Sequence, residues 1–550
     1  MHNRRASMIW VVRGLATCFV FWSLAFIYRS SAIAIDGKRY FCLFDDAMIS
    51  MRYAWNFSSG AGLVWNAGER IEGYSNFLMT LVMSVATLIF DKSSAALAIQ
   101  VLGIVVAIAI AFRAMQIANL LVSSDSAHRH SILILSFVCA LGYYPLAFWT
   151  LMGMETGLLA FLLLSGVYFA LKHTQTNEPG QLLLTAISLG LAFLTRPDSL
   201  IFTVIIFSYV AVESSGSRGV KSAISQMVTP LIVYLIFLGG QEAFRWAYYG
   251  DLLPNTYYLK LTGMSSLMRI RNGFGFVTPF LLTIAFPLIV VIVDLMLNFH
   301  KRTLFLLVLV LAAIFYQIWI GGDPWTYWRL IAPVMPILFL LFVKAVFSMT
   351  SYFSGAASYA RAAIARPIMP PRFVLEAVIA VTFVALILAN SGFMQEIYFI
   401  ARPYTAVDNE SCINTAIALN ELTTEKATVG VTSAGTIPYY TGKAAIDFLG
   451  KNDAYVARLS PDVSGRAAWN GMESVPGHNK FDLNYSIKVL RPTYVQVVGW
   501  LGQDLSAWSE THYEKITYKG TSLRLLRNSD AVRWERIHPI ADTARSSILN

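Results

Sequence analysis

Runs of mostly apolar residues recur through the first 392 positions of this chain, at 8–28, 76–90, 95–112, 131–149, 157–171, 182–194, 199–212, 227–240, 276–297, 303–320, 330–347 and 373–392. A chain patterned this way has few options. In hydrocarbon every backbone N–H and C=O must be satisfied within the segment, so each run that crosses must do so as a helix of about 20 residues. Several runs fall short of that length and read as tilted or half-helical pieces. The composition agrees, with 56% hydrophobic residues and 13% charged. That charged share is about half of what a soluble chain carries. Mean hydropathy is +0.57. A large soluble enzyme, a disordered scaffold and a disulfide-built secreted module are excluded. The fold class that follows is a polytopic α-helical membrane protein.

The net charge of +10, from 42 Lys and Arg against 32 Asp and Glu, orients it. Arg4 and Arg5 precede the first run, which is too long and lacks the small-residue cleavage site of a signal peptide. Lys172, Arg218 to Lys221, His300 to Arg302 and a long loop from Lys344 to Arg372, with Arg361 and Arg366, favour the cytoplasm. Residues 36–75 then form the first outer loop. Twelve spans would leave both termini inside, whereas the tail reads as an outer domain and needs an odd number. The short segments between 91 and 213 hold that conflict, and the count is taken as about eleven. The basic excess does not read as nucleic-acid binding, because no basic run is interleaved with aromatics. Cys18 and Cys139 lie in apolar runs, and nothing in the spacing pairs Cys42 with Cys412.

From 393 onward charge and Gly, Asn and Ser return to globular levels. Strands are expected at 427–432, 493–499 and 513–526, the last a hairpin turning at Lys519-Gly520, and a helix at 413–422. The chain therefore divides into a membrane catalytic part, 1–392, and a soluble extracytoplasmic α/β domain, 393–550.

The chemistry concentrates just past the first run. Asp45 and Asp46 are adjacent carboxylates near low dielectric, where one pKa tends to rise and a hydroxyl proton can be accepted. The helical spacing of Met48, Met51 and Trp55 suggests an amphipathic helix on the membrane surface, and capping of that helix is the competing role for the two aspartates. The loop continues through Gly60, Gly62, Asn66, Gly68, Glu69, Glu72, Tyr74 and Asn76, a carboxylate, amide and aromatic set suited to sugar hydroxyls and ring faces. Glu155, the stretch from Tyr248 to Lys260, and Asp323 with Trp325 and Arg329 add acids, bases and aromatics at segment ends, where an interfacial belt is the ordinary explanation. Thr195-Arg196-Pro197-Asp198 breaks another run, as a buried couple or a lipid-phosphate contact. There is no Walker loop, GxSxG elbow or HExxH. Sugar transfer outside the cytoplasm cannot use a free nucleotide sugar, so the donor would be a sugar on a polyprenyl phosphate.

These motifs, in order, carry a resemblance. Asp45-Asp46-x-x-Ile-Ser-x-Arg52-Tyr53, then Asn66-x-Gly68-Glu69-Arg70-x-Glu72-Gly73-Tyr74-x-Asn76, Gly153-x-Glu155-Thr, Tyr249-Gly-Asp251-x-x-Pro254-Asn255, Gly321-Gly-Asp323 with Arg329, Asp447-x-Leu-Gly450-x-Asn452-Asp453 and Gly477-His478-x-Lys480 are similar to GT-C membrane glycosyltransferases. Within that class the chain most resembles the terminal β-(1→2) arabinofuranosyltransferases that use decaprenyl-phosphoryl arabinofuranose. The resemblance implies a catalytic aspartate in the first outer loop, carried onto Asp45 and Asp46 with Asp45 favoured. It implies an outer C-terminal domain that helps hold acceptor. Pro324-Trp325 departs from the family, in which Trp directly follows the aspartate.

The expected activity is transfer of arabinofuranose from a polyprenyl-phosphate donor to a hydroxyl on a cell-surface polysaccharide or a protein such as pilin, at the outer face of a bacterial cytoplasmic membrane. Arg52, Lys260 and Arg329 would face the leaving phosphate. Tyr53, Asn66, Glu69, Glu72, Tyr74, Asn76, Glu155, Asp323, Trp325 and His478 complete the expected substrate-binding set. Some GT-C enzymes use a divalent metal, which these carboxylates do not demand. A GT-C transferase of another lipid-linked sugar (mannose or aminoarabinose, to protein or lipopolysaccharide) and a lipid-linked sugar flippase are the alternatives.

Overall fold

The computed structural model describes residues 2–126, 128–361, 371–466 and 468–537. Every apolar run identified above is helical. In chain order, α1 (His2–Ser30) leads through a short β1–β2 pair (Ala32–Ile33, Arg39–Tyr40) to α2 (Asp45–Ser58) and α3 (Phe77–Ile89). Then come α4 (Lys92–Leu121), α5 (Arg129–Gly142), α6 (Tyr144–Leu151), α7 (Thr156–Thr176), α8 (Pro179–Thr195), α9 (Leu200–Arg218) and α10 (Val220–Tyr249). The short α11 (Asn255–Leu261) precedes α12 (Ser266–Leu297), α13 (Lys301–Trp319), α14 (Met335–Arg361) and α15 (Pro371–Ala389).

Among the described residues, eight helices are long and apolar enough to cross a membrane. Two bent pairs, α5 with α6 and α15 with α16 (Met394–Ile397), bring that to ten. The shorter α8 runs antiparallel to the long α7, beginning where His173 meets the Glu178 carbonyl and ending where Arg196 pairs with Glu155, and counting it beside α7 gives eleven. α3 does not cross. Its first turn meets α2 where Ser50 Oγ donates to Asn76 Oδ1 at 2.9 Å, and its last turn meets α2 where Thr87 Oγ1 donates to the Ala54 carbonyl at 3.2 Å. Just past it Lys92 Nζ donates to the Tyr440 carbonyl at 3.3 Å, and just before it Gly73 packs against Asn452, so both flanks of α3 lie at the tail and the parity conflict falls at 77–89 rather than between 91 and 213.

Two other expectations are corrected. α2 is not a surface amphipathic helix, since Ala47 to Ala54 are all buried. Packing on both faces overrides the amphipathic pattern. The long basic loop is mostly helix, because α14 runs on to Arg361; Arg366 lies outside the described residues. The basic residues do gather at one end. There Arg302 Nη1 donates to the Leu120 carbonyl, and Lys301 pairs with Glu213 at 3.4 Å.

The tail packs on the opposite end. Its five-stranded sheet has the order β4-β3-β5-β9-β8, where β3 is Thr428–Val431, β4 Ala444–Asp447, β5 Tyr494–Val495, β8 Tyr513–Tyr518 and β9 Thr521–Leu526. A small β6–β7 pair (Gly499–Trp500, Gln503–Asp504) lies outside that sheet. β3 is parallel to β4 and β5, and β8–β9 is the expected hairpin at Lys519-Gly520. Both turn residues have positive φ, as the tight hairpin turn requires. α17 (Ala406–Leu422) and α18 (Thr436–Thr441) lie between this sheet and the membrane helices.

Because both ends of α3 lie at one end of the bundle, cysteines replacing Ser59 and Asp91 in a cysteine-free background will react with an impermeant maleimide from the same side. A cysteine at Ser124 will react only from the other. Labelling of 59 and 91 from opposite sides would show that α3 spans.

Candidate active site

The two aspartates open α2, and successive helical side chains diverge by about 100°. Asp45 turns toward the tail. Its Oδ1 accepts the Thr436 amide at 2.9 Å and its Oδ2 the Gly435 amide at 3.2 Å, so it caps α18 rather than its own helix. Gly435 is required there, since a Cβ would run into the Asp45 carbonyl. Burial pushes the Asp45 carboxyl up, with the Thr436 amide opposing.

Asp46 turns the other way. Arg329 Nη1 donates to its Oδ2 at 2.8 Å, and Lys451 Nζ pairs with its Oδ1. Burial alone would raise this carboxyl, but Lys451, Arg329 and Lys260 hold it well below the usual range. Arg329 is itself fixed by Asp323, through Nε–Oδ2 at 2.7 Å and Nη2–Oδ1 at 2.9 Å.

Two cavities meet beside this cluster. The larger, about 480 Å³, is a groove with apolar walls including Phe193, Leu238, Leu261 and Leu330. The smaller, about 50 Å³, is polar and includes Asp46, Ser50, Tyr74, Asn76, Glu155 and Lys451. Ser75, Arg196, Thr256, Lys260 and Arg329 line both. Lys260 makes no hydrogen bond or ion pair among the described residues. Burial first, then repulsion from Arg329, lowers its amine to about 8. In the polar pocket Asn76 Nδ2 donates to Glu155 Oε2 at 3.1 Å, and Arg196 pairs with Glu155 Oε1 at 2.7 Å and with Asp198.

The remaining expected residues hold the loop together rather than line the polar pocket. Arg52 donates to the carbonyls of Trp65 (2.5 Å), Pro438 and Lys443 (2.8 Å) and to Asn66 Oδ1 (2.9 Å). With no carboxylate hydrogen-bonded to it, burial lowers its guanidinium to about 9. Asn66 pairs with both the N–H and C=O of Ala445 on β4, and its side chain also donates to Glu69. Tyr53 OH donates to the Ile71 carbonyl at 2.6 Å and meets Asn452. Glu72 is bound by Arg245 at 2.6 Å, on the wall between the groove and an outer crevice. Trp325 packs edge-on against Phe44 at 5.0 Å and near His478 at 5.9 Å. His478 is buried among tryptophans, and burial lowers it to about 3, so it is neutral.

Lys451 escaped the sequence reading. It sits as an unremarked position inside Asp447-x-Leu-Gly450-x-Asn452. Asp447 accepts the amides of Leu449, Gly450 and Asn452 and so folds this segment into a tight loop. Asn255 clamps the loop by donating to the carbonyls of Gly450 and Lys451 at 2.9 and 3.0 Å. Arg245 and Ser50 were missed too, since nothing local distinguishes them. Among the described residues no three His, Cys, Asp or Glu side chains are grouped to hold a metal. Asp46 and Glu155 are held by Arg and Lys instead, a donor set that does not fit a dication.

Comparison places this architecture among known folds. Residues 402–534 match a family model described as a domain of unknown function, DUF8728. No curated protein matches in sequence. The structure resembles ArnT from Cupriavidus metallidurans in the apo state (TM-score 0.52, 15% identity, 80% of this chain and 86% of that one) and bound to undecaprenyl phosphate (0.51, 14%, 79% and 86%). It also resembles the oligosaccharyltransferase AglB from Archaeoglobus fulgidus in complex with an inhibitory peptide and a dolichol-phosphate (0.56, 11%, 97% and 75%). At these identities the likeness is one of fold: the chain has the GT-C architecture.

Two outcomes follow from the geometry. Asp45→Ala will speed hydrogen exchange at the Gly435 and Thr436 amides by about tenfold to a hundredfold, the worth of charge-assisted buried hydrogen bonds. Asp46→Asn will leave them protected, and equal effects would contradict the division of roles. Lys260 will acetylate with a midpoint near pH 8, where ordinary lysines titrate near 10.4. Asp46 favours the protonated amine, so Asp46→Asn will move that midpoint lower. A Lys260 that tracks surface lysines throughout would contradict its environment.

Proposed function

We propose that this protein transfers a sugar from a polyprenyl-phosphate carrier to an acceptor hydroxyl at the membrane surface. The observation that carries this is the meeting of an apolar groove and a polar pocket at Lys260, Arg196 and Arg329. A prenyl chain suits the groove, its phosphate the cations at the junction, and its sugar the pocket with Ser50, Asn76 and Glu155. Prenyl phosphates are also the lipids named with two of the fold's neighbours.

In the reaction, the acceptor oxygen bonds to the anomeric carbon as the bond from that carbon to the phosphate oxygen breaks. The hydroxyl proton passes to a carboxylate, and the lipid phosphate departs as an anion beside Lys260 and Arg329. We assign the proton to Asp46, which lines the polar pocket, whereas Asp45 turns away from it to the Gly435 and Thr436 amides. A carboxylate held low is a weak base in the empty site. An incoming phosphate competes for Arg329 and Lys260, which loosens their hold and raises Asp46 when a base is needed.

The motif order supports arabinofuranose as the sugar. Charge favours a neutral sugar over aminoarabinose: Arg196, Lys260, Arg329 and Lys451 line the polar pocket against Asp46 and Glu155, and an amine would add to that excess. The basic residues at the far end support an extracytoplasmic site in a bacterial cytoplasmic membrane, with a cell-surface glycan or a surface protein as acceptor.

In proteoliposomes supplied with polyprenyl-phosphate arabinofuranose and an arabinan acceptor, Asp46→Asn will lower transfer by at least about a hundredfold while the protein remains inserted. Full activity of that variant would reject the assignment. Movement of the labelled lipid across the bilayer without glycosylated product would reject transfer in favour of a flippase.

A further inference from the structure

A second amphiphile-shaped surface lies along α1 and shares no lining residue with the cavities at Asp46. Leu15, Cys18, Phe19 and Trp22 line a groove of about 370 Å³ whose other wall comes from α5, α6 and the α15–α16 bend. It opens where Ile387 and Tyr398 are exposed. At the end of the same helix a second cavity of about 360 Å³ is lined by Tyr28, Arg29, Arg39, Arg402 and Glu410, three positive charges against one negative.

The two are parts of one track. Residues 15, 18, 22 and 29 are spaced by three, four and seven and so share a helix face. Trp22 and Arg29 are about 10 Å apart along the axis. Phe399 joins them: it stacks on Trp22 at 5.8 Å and lies under the Arg29 guanidinium at 6.0 Å. Its φ of +58° is unusual for a bulky side chain, so the surrounding packing holds it there. Trp22 Nε1 donates to the Ile397 carbonyl at 3.0 Å and pins the other wall.

The arginines are not equally satisfied. Arg39 donates to Ser31 Oγ at 2.6 Å and lies over the Tyr28 ring, and Arg402 pairs with Glu410 at 2.5 Å. Arg29 makes no hydrogen bond or ion pair among the described residues, and its Nε is buried without a partner. A donor left so, above an apolar groove and beside two further arginines, matches an anion that carries its own apolar tail.

We infer that α1 and the α15–α16 bend form a binding site for an anionic phospholipid, with an acyl chain in the Trp22 groove and the phosphate at Arg29, Arg39 and Arg402. The charge excess excludes a zwitterionic lipid as the preferred occupant, and the groove excludes a free anion. The site does not depend on the proposed transferase activity. Such a lipid would tie α1 to the segment that leads into the tail.

Native mass spectrometry of the full chain from nanodiscs containing equal phosphatidylglycerol and phosphatidylcholine tests this. One phosphatidylglycerol should be retained in preference to phosphatidylcholine. Arg29→Gln, which removes no internal hydrogen bond, should lower that retention about tenfold or more. Cys18→Trp, which fills the groove, should lower it without touching the arginines. Equal retention of the two lipids, no response to Arg29→Gln, or displacement by soluble glycerol phosphate would overturn the inference.

Discussion

The structure turns on how two neighbouring carboxylates are shared out. Side by side and half-buried, Asp45 and Asp46 would repel each other and lose hydration, at a cost of up to several kcal/mol for an unpaired charge. The first turn of α2 sends them apart. One is neutralised by the amide dipoles that start α18, the other by Lys451 and Arg329. The same turn thus fastens the tail to the membrane part and puts a charged group on the cavity wall. Neither result is available without the other, because Lys451 comes from the tail that Asp45 helps to seat.

The rest of the cavity follows an electrostatic logic. Its cations outnumber its acids, and Asp323 is spent on aiming Arg329. Glu155 is likewise spent on Arg196 and Asn76. Such a site is preorganised for an anion: the donors are already oriented, so little reorganisation would remain for a phosphate of the kind proposed above. The depressed Lys260 is the mark of that unfilled demand.

Much of this was legible in the residues. Apolar patterning gave every membrane helix, since the requirement for internally bonded backbone leaves one choice of structure. The loop from Asp45 to Asn76 stood out by its density of polar and aromatic types, and from it Asp46, Tyr74 and Asn76 do line the polar pocket. What failed was whatever depends on contacts between separate elements. α3 is as apolar as a span, and only the contacts of its two flanks with the tail show that both lie at one end of the bundle. Arg52 looked like a phosphate ligand and instead binds carbonyls on both sides of the tail interface. Lys451 passed unnoticed because its environment is made by residues about 400 positions earlier in the chain. A cation's task is set by what faces it, and sequence spacing carries that only for neighbours on one helix.

Arg52 has a consequence for how the molecule is made. Its carbonyl partners at Pro438 and Lys443 lie 386 and 391 residues downstream. At translation speeds of roughly 5–20 residues per second, its helix leaves the ribosome some 20–80 seconds before those partners exist. During that interval the guanidinium must stay in water or borrow lipid headgroups, and its helix cannot settle. The earliest loop is therefore the last part to mature, and a nascent chain halted between Ala389 and Pro438 would hold a complete set of spans around an unfinished pocket.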